Sequence, residues 1–243
     1  MMEIDLALIE QLREFETPLV AEGLGALGCS ELHRYYMGAE IRMLTDTPQP
    51  AVGVAVTLEV DTSTPQLKPD TKALYDALDE IVPMKVPAML VLKTVGSRPQ
   101  HECVLGDGVA KIAQAAGCCG AVTDGGVRDL AGITTIGFGV FARGPVVNHA
   151  TFVLRKPRGP IEIGGIEVAD GDLVHADSNG VHLVPPAYHP MLVEACILSR
   201  DFETRVHTFM RRSDVSTEDK LRYVDELRAG HHTRCHTLAQ QAS

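Results

Sequence analysis

An α/β fold with parallel strand pairing is predicted by three features of the sequence. Two long apolar runs, Ala51–Val60 and Pro87–Thr94, are uninterrupted enough to be strands buried on both faces. Between and after them, helical periodicity alternates with short apolar runs as far as Phe141. Beyond Val153 the pattern changes to short alternating segments separated by glycine turns.

The elements follow in order. Ile4, Leu8, Leu12 and Phe15 share helical spacing, which predicts a helix over Ile4–Phe15. Thr17-Pro18 has the form of an N-cap followed by proline at the first helical position. That helix runs to about Leu27 and is ended by Gly28. Ala51–Val60 is a strand, Thr62–Asp70 a polar loop, and Thr71–Ile81 a helix whose Leu74, Ala77, Leu78 and Ile81 share one face. Pro87–Thr94 is the second buried strand. The polar loop Gly96–Glu102 leads into Leu105–Gly108. A helix over Gly108–Ala116 places Val109, Ile112, Ala113 and Ala116 together, with Gly117 as its C-terminal cap. Gly120–Thr123 is a strand, Asp124-Gly125-Gly126 a turn, Val127-Arg128-Asp129 the entry to a short helix, and Ile136–Phe141 a strand.

Val153–Asp172 and Leu173–Val184 read as antiparallel strands turning at Gly164-Gly165, Asp170-Gly171 and Asn179-Gly180. Asn-Gly is a strong hairpin signal. From Pro190 the chain is helical again, and the charged, His-rich tail Arg200–Ser243 holds a further helix at Thr217–Arg228. The simplest organisation is one α/β domain over residues 1–190. A helical C-terminal extension, 191–243, packs on that domain or on a neighbouring subunit.

The chain has 243 residues with 22 Lys and Arg against 32 Asp and Glu, a formal net charge of −10. Such a surface disfavours broad binding to nucleic acid or anionic membranes, because phosphate contacts need Lys and Arg. No apolar stretch approaches the ~20 residues of a membrane span. The acidic, amphipathic Met1–Glu16 has neither a basic n-region nor a small-residue cleavage site, so a cytoplasmic location is expected. The six cysteines form no C-x-x-C pair and are expected to be reduced thiols.

Two motifs could carry chemistry. In Leu105-Gly106-Asp107-Gly108-Val109, glycines flank an Asp where a helix begins. Backbone N–H groups there can bind an anion; equally, Asp107 can be a plain N-cap. In Asp124-Gly125-Gly126-Val127-Arg128-Asp129, a strand runs into a glycine turn followed by a cation and an anion. Arg128 can grip a carboxylate, and Asp129 can hold Mg²⁺ or Mn²⁺ with waters filling most positions. The alternative is that Asp129 caps the next helix and Arg128 pairs with it or with Asp124. If both motifs end parallel strands, they open on one crevice. There a helix terminus, a guanidinium and a metal-binding carboxylate suit the stabilisation of an enolate.

Asp107, twenty residues, then Arg128-Asp129 resembles the D-x20-R-D motif of the class II pyruvate aldolases that cleave 4-hydroxy-4-methyl-2-oxoglutarate. Those enzymes share their fold with the regulators of ribonuclease E activity. The likeness extends through GCCGAVTDGGVRD (Gly117–Asp129), VFARG (Val140–Gly144) and GGIEVADGDLVHADSNGVHLVP (Gly164–Pro185), and covers Thr17–Pro186.

The resemblance implies a layered, swivelling β/β/α-type fold (an α-β-β-α sandwich). It implies homotrimers or homohexamers with active sites between subunits. The Gly106, Asp107, Gly108 and Val109 backbone would bind the pyruvyl carboxylate, and Arg128 would contact the keto-acid oxygens. Asp129 would ligate Mg²⁺ or Mn²⁺, and Asp107 would orient a proton-shuttling water. The implied activity is a divalent-metal-dependent lyase releasing pyruvate through an enolate, with oxaloacetate decarboxylase activity beside it. The alternative within the same resemblance is a non-enzymatic regulator that binds a protein such as a ribonuclease. Departures are Glu22 where the family often has Asp, Ala169 in place of proline, a Gly96–Cys103 loop without the Gly-Asp pattern, and a longer tail. Glu194 and Glu203 are candidates for an acid supplied to a neighbouring chain.

Other residues carry weaker expectations. His231, His232, Cys235 and His236 have ligand types suited to zinc but lie in a charged tail that suggests a solvated cluster. His175, His182 and Cys118-Cys119 read as core or partly exposed residues. Arg143, with Asn148 and His149 nearby, could sit at a pocket rim.

Overall fold

The computed structural model describes residues 4–241; the ends of the Met1–Glu16 and Arg200–Ser243 segments lie outside this range. The elements are α1 (Leu6–Leu12), α2 (Thr17–Ala26), β1 (Arg42–Met43), β2 (Ala51–Thr62), α3 (Lys72–Ile81), β3 (Ala88–Gly96), β4 (Cys103–Leu105), α4 (Asp107–Ala116), β5 (Cys118–Thr123), β6 (Gly126–Val127), α5 (Leu130–Thr135), β7 (Gly139–Ala142), β8 (Gly144–Pro145), β9 (Val153–Arg155), β10 (Ile161–Ile163), β11 (Ile166–Val168), β12 (Leu173–Asp177), β13 (Gly180–Val184), α6 (His189–Met210) and α7 (Thr217–Gln241).

The main sheet has the order β1-β7-β5-β3-β2-β12-β13, with β9 also paired to β2. Strands β2, β3, β5 and β7 run parallel. The outer pairings β1·β7, β12·β2, β12·β13 and β2·β9 are antiparallel. The predicted parallel core is joined in one mixed sheet by β9, β12 and β13 of the antiparallel second half, while β10 and β11 pair apart from it.

Alternate residues of the buried strands serve two cores. Ala88, Leu90 and Leu92 of β3, with Val56, Leu58 and Val60 of β2, pack with residues of α3, α4 and α5. Met89 and Val91 pack on the opposite side with Ile161, Ile163, Ile166 and Val168 of the β10–β11 hairpin. Helices, large sheet and small hairpin are thus successive layers, the mixed α/β arrangement expected.

The chain divides into two compact units. One holds the segment ending at Thr17 together with His33–Pro185; the other holds Pro18–Leu32 and the chain from Pro186 onward. Within the second unit, α6 and α7 form a hairpin closed by aromatic contacts. Phe209 and Tyr223 lie 4.0 Å apart between centroids, and Phe202 stacks on His231 at 5.0 Å. The tail is more helical than its composition suggested: α7 runs 25 residues, far past Arg228.

Three element boundaries differ for physical reasons. The first helix stops at Leu12, although Phe15 is buried at the predicted spacing. Thr17 does not use its hydroxyl as a local cap; it donates to Nδ1 of His175 at 2.9 Å. The strand predicted over Ile136–Phe141 begins only at Gly139, because Ile136 and Gly137 are taken up in closing α5. Gly117 ends α4 in the left-handed conformation, φ 116°, as its position predicted. No helix among the described residues is long and apolar enough to cross a membrane.

Candidate active site

The two motifs meet on a small sheet of their own rather than on the main one. Strands β4, β6 and β8 form a parallel three-stranded sheet in that order. Gly106 follows β4 and Arg128 follows β6, so both loops leave the same edge side by side. The backbone couples them directly, because Arg128 N–H donates to Leu105 O at 3.1 Å.

Gly106 occupies the N-cap of α4 in extended geometry, φ −125° and ψ −173°. Asp107 is therefore the first helical residue and not the cap. Its carboxylate accepts from Lys111 Nζ at 2.5 Å. That hydrogen bond, with the amide of Gly108 contributing, lowers the proton affinity of Asp107 below the ordinary carboxylate value. The first-turn amides of α4 have no intrahelical backbone acceptor; that of Gly108 meets the Asp107 carboxylate, and the N-terminus as a whole can receive an anion. Val109 turns its side chain to the core and Gly108 is exposed, so at both positions only the backbone is offered.

Asp129 precedes α5 in left-handed geometry, φ 59° and ψ 32°, and makes no side-chain cap bond. Asp tolerates this region better than most residues, yet such geometry costs about 1–3 kcal/mol. The carboxylate is turned back toward the first loop. It lies 3.3 Å from Arg128 Nε, and both side chains remain over two-fifths exposed. A Cβ placed on Gly106 would stand 2.9 Å from Asp129 Oδ2 and 3.4 Å from Arg128 Cγ. Arg128 and Asp129 thus pack against bare backbone at the mouth of α4.

Asp124 is no part of this group. Buried at 2 % exposure, it accepts from Lys93 Nζ, Thr94 N and Thr94 Oγ1 at 2.7 to 2.8 Å, which anchors the turn before Arg128. Cys103 lies beneath both loops; its thiol donates to Leu105 O at 3.2 Å, and burial pushes its pKa up.

The remaining candidates fall elsewhere. Arg143 is exposed between β7 and β8, and Asn148 and His149 are exposed beyond β8. His175 and His182 are buried cross-strand neighbours. The six thiols are free, and burial raises Cys118 and Cys119 to about 12. His231 and Cys235 are buried on α7, but no three His, Cys, Asp or Glu side chains among the described residues converge as a metal-binding group. In the second unit, Glu194 is exposed. Burial first, then the charge and hydrogen bond of Glu203, raise the proton affinity of Glu22.

Two residues beside Asp107 were not singled out from the sequence. Lys111 was legible as an Asp–Lys pair four apart on a helix. Gly132, whose Cβ would stand 3.3 Å from Asp107, carries no sequence signal.

Comparison with known proteins places the chain in a family. The RraA-like family profile, described as Aldolase/RraA, matches residues 17–183. A Halalkalibacterium halodurans protein named "Putative 4-hydroxy-4-methyl-2-oxoglutarate aldolase" is 27% identical over 191 residues, 76% of this chain and 80% of that protein. Streptomyces coelicolor RraAS2, described as an unusual member of the RNase ES inhibitor RraA protein family, superposes with TM-score 0.69 at 24% identity, over 85% of this chain and 99% of that one. An uncharacterized protein from Pseudomonas syringae pv. tomato has TM-score 0.66 at 21% identity, over 90% and 99%. These two structures share the mixed α/β fold described above. With both motifs inside the matched residues, the chain belongs to the RraA-like, Aldolase/RraA family.

Proposed function

We propose that the protein is a divalent-metal-dependent carbon–carbon lyase. Its substrate would be a 4-hydroxy-2-oxo dicarboxylic acid such as 4-hydroxy-4-methyl-2-oxoglutarate, its product pyruvate, and oxaloacetate decarboxylation a side activity. The observation that carries this reading is the adjacency of the α4 N-terminus, Arg128 and two exposed carboxylates on one loop pair.

The donor set fits Mg²⁺ or Mn²⁺. Asp129 is exposed, makes no cap bond, and is a hard oxygen ligand. Mg²⁺ is commonly held by one or two carboxylates while keeping several waters, so the lack of a three-residue cluster among the described residues is compatible with it. A cation held by Asp129 would supply Lewis-acid polarisation of the 2-keto oxygen.

The chain's own residues do the rest. First-turn amides of α4, from Asp107 to Val109, bind the pyruvyl carboxylate. Arg128 donates to the keto-acid oxygens and stabilises charge that develops as the C3–C4 bond breaks. Asp107, kept ionised by Lys111, holds a water through which the C4 hydroxyl loses its proton and C3 regains one. Oxaloacetate loses CO₂ across the corresponding bond and leaves the same enolate. We place the protein in the cytoplasm as a homotrimer or hexamer, in which Glu194 or Glu203 supplies an acid to a neighbour.

The test is pyruvate release coupled to lactate dehydrogenase, with Mg²⁺, Mn²⁺ or EDTA. Metal-dependent release that Arg128→Ala and Asp129→Ala abolish is expected. No release from either substrate with either metal would overturn the lyase reading and leave a regulator that binds a protein such as a ribonuclease.

A further inference from the structure

Asp107 is bracketed by two residues outside both motifs. From its own helix, Lys111 reaches back one turn and donates to Oδ2 at 2.5 Å. Helical side chains lean toward the N-terminus, so a lysine at this spacing meets the first helical residue. From α5, Gly132 presents bare backbone. A Cβ there would stand 3.3 Å from both Cβ and Oδ2 of Asp107, closer than ordinary van der Waals contact between such atoms. One flank pulls the carboxylate by charge and the other leaves it room.

We propose that Lys111 and Gly132 are positioning residues that set the carboxylate of Asp107 in the place from which its water exchanges a proton with the substrate. The inference rests on the lyase reading and adds to it a requirement on the wall of the site. The two halves are independent in kind. Lys111 is exposed and acts through one hydrogen bond; Gly132 acts through the absence of a side chain. Both act through Asp107, so their loss belongs in turnover and not in binding. Misplacing a proton-transfer group by about 1 Å can cost on the order of 100-fold in rate.

The enolate half-reaction isolates this step. In D₂O, a C3–H bond of pyruvate breaks, its electron pair passes into the C2–O enolate, and the proton goes to the water on Asp107. Return of a deuteron to C3 completes the exchange without redox change or cleavage of a carbon–carbon bond.

The experiment compares wild type with Lys111→Met, Lys111→Arg and Gly132→Ala. It measures kcat and KM for 4-hydroxy-4-methyl-2-oxoglutarate and pyruvate C3 deuteration by NMR, both with Mg²⁺. Lys111→Met and Gly132→Ala should each lower kcat and the exchange rate about 10- to 100-fold, with KM within about twofold. Lys111→Arg should recover most of the loss. Lys111 is half exposed, so its variants should fold even if Gly132→Ala does not. Wild-type rates in Lys111→Met, or a raised KM with unchanged kcat, would overturn the positioning role while leaving the lyase reading intact. A wild type that neither cleaves nor exchanges would overturn both.

Discussion

Asp129 and Gly106 belong to different motifs, yet Asp129 Oδ2 lies only 2.9 Å from where a Cβ on Gly106 would stand. A methyl group there would make the carboxylate of the candidate metal ligand shift from its present place. The loop glycine therefore leaves the Asp129 carboxylate its present place, besides giving an anion a close approach to the backbone.

Gly106→Ala should consequently act on a residue 23 positions away in sequence. We expect Mn²⁺ affinity, read by electron paramagnetic resonance, to fall about 10-fold, the lower end of losses for disturbed ligand surroundings. The extended backbone at Gly106 suits alanine, so the melting temperature should move by only a few degrees. Unchanged Mn²⁺ affinity would show that Asp129 yields without cost.

Asp129→Gly separates stability from function. Glycine adopts the left-handed region freely, so relief of strain should stabilise the fold by about 1 kcal/mol. Pyruvate release should disappear at the same time. Urea unfolding and the coupled assay on one preparation measure both; a destabilised variant would contradict the strain argument.

His175 should make stability pH-dependent. It is buried, accepts from the Thr17 hydroxyl at Nδ1, and donates from Nε2 to Leu12 O at 3.0 Å. Burial lowers its pKa to about 4, below the unfolded value near 6.5. Between those values the unfolded chain binds more protons, so stability is lost as pH falls from about 6.5 to about 4. The single-site limit is about 3 kcal/mol. The pKa of His182 is also lowered by burial and adds in the same direction. Urea midpoints at pH 7 and 4.5 check this, and His175→Gln should flatten the slope.

Asp124→Ala should be among the more damaging changes outside the core. It removes the acceptor for Lys93 and for two groups of Thr94 from a nearly buried site. Breaking a buried pair costs about 3–5 kcal/mol; Lys93 is partly exposed, so about 2–3 kcal/mol is expected by chemical denaturation. Because this turn carries Arg128, pyruvate release should fall as well.

Much of the first unit was legible because its elements announce themselves locally. The runs at Ala51 and Pro87 are apolar except toward their C-terminal ends, at Thr57 and Glu59 and at Lys93 and Thr94, as suits strands buried on both faces. Gly117, Asn179-Gly180 and Gly164-Gly165 mark turns through backbone geometry that L side chains avoid. The helical tail was underestimated. Helix α7 is largely polar and its packing residues, such as Tyr223 and His231, meet partners on α6, contacts that periodicity within one segment does not reveal.

What the sequence by itself determined was the inventory: a parallel α/β core, an antiparallel second half, and two glycine-flanked acidic motifs twenty residues apart. These follow from periods and propensities that act within a few residues. The tertiary structure alone decided that the motifs share a small sheet apart from the main one and that Asp124 is a structural anchor. It also decided that Gly106 and Gly132 stand against the carboxylates Asp129 and Asp107. Those facts depend on which loops are brought together in space, and close packing across a fold leaves no period in the chain.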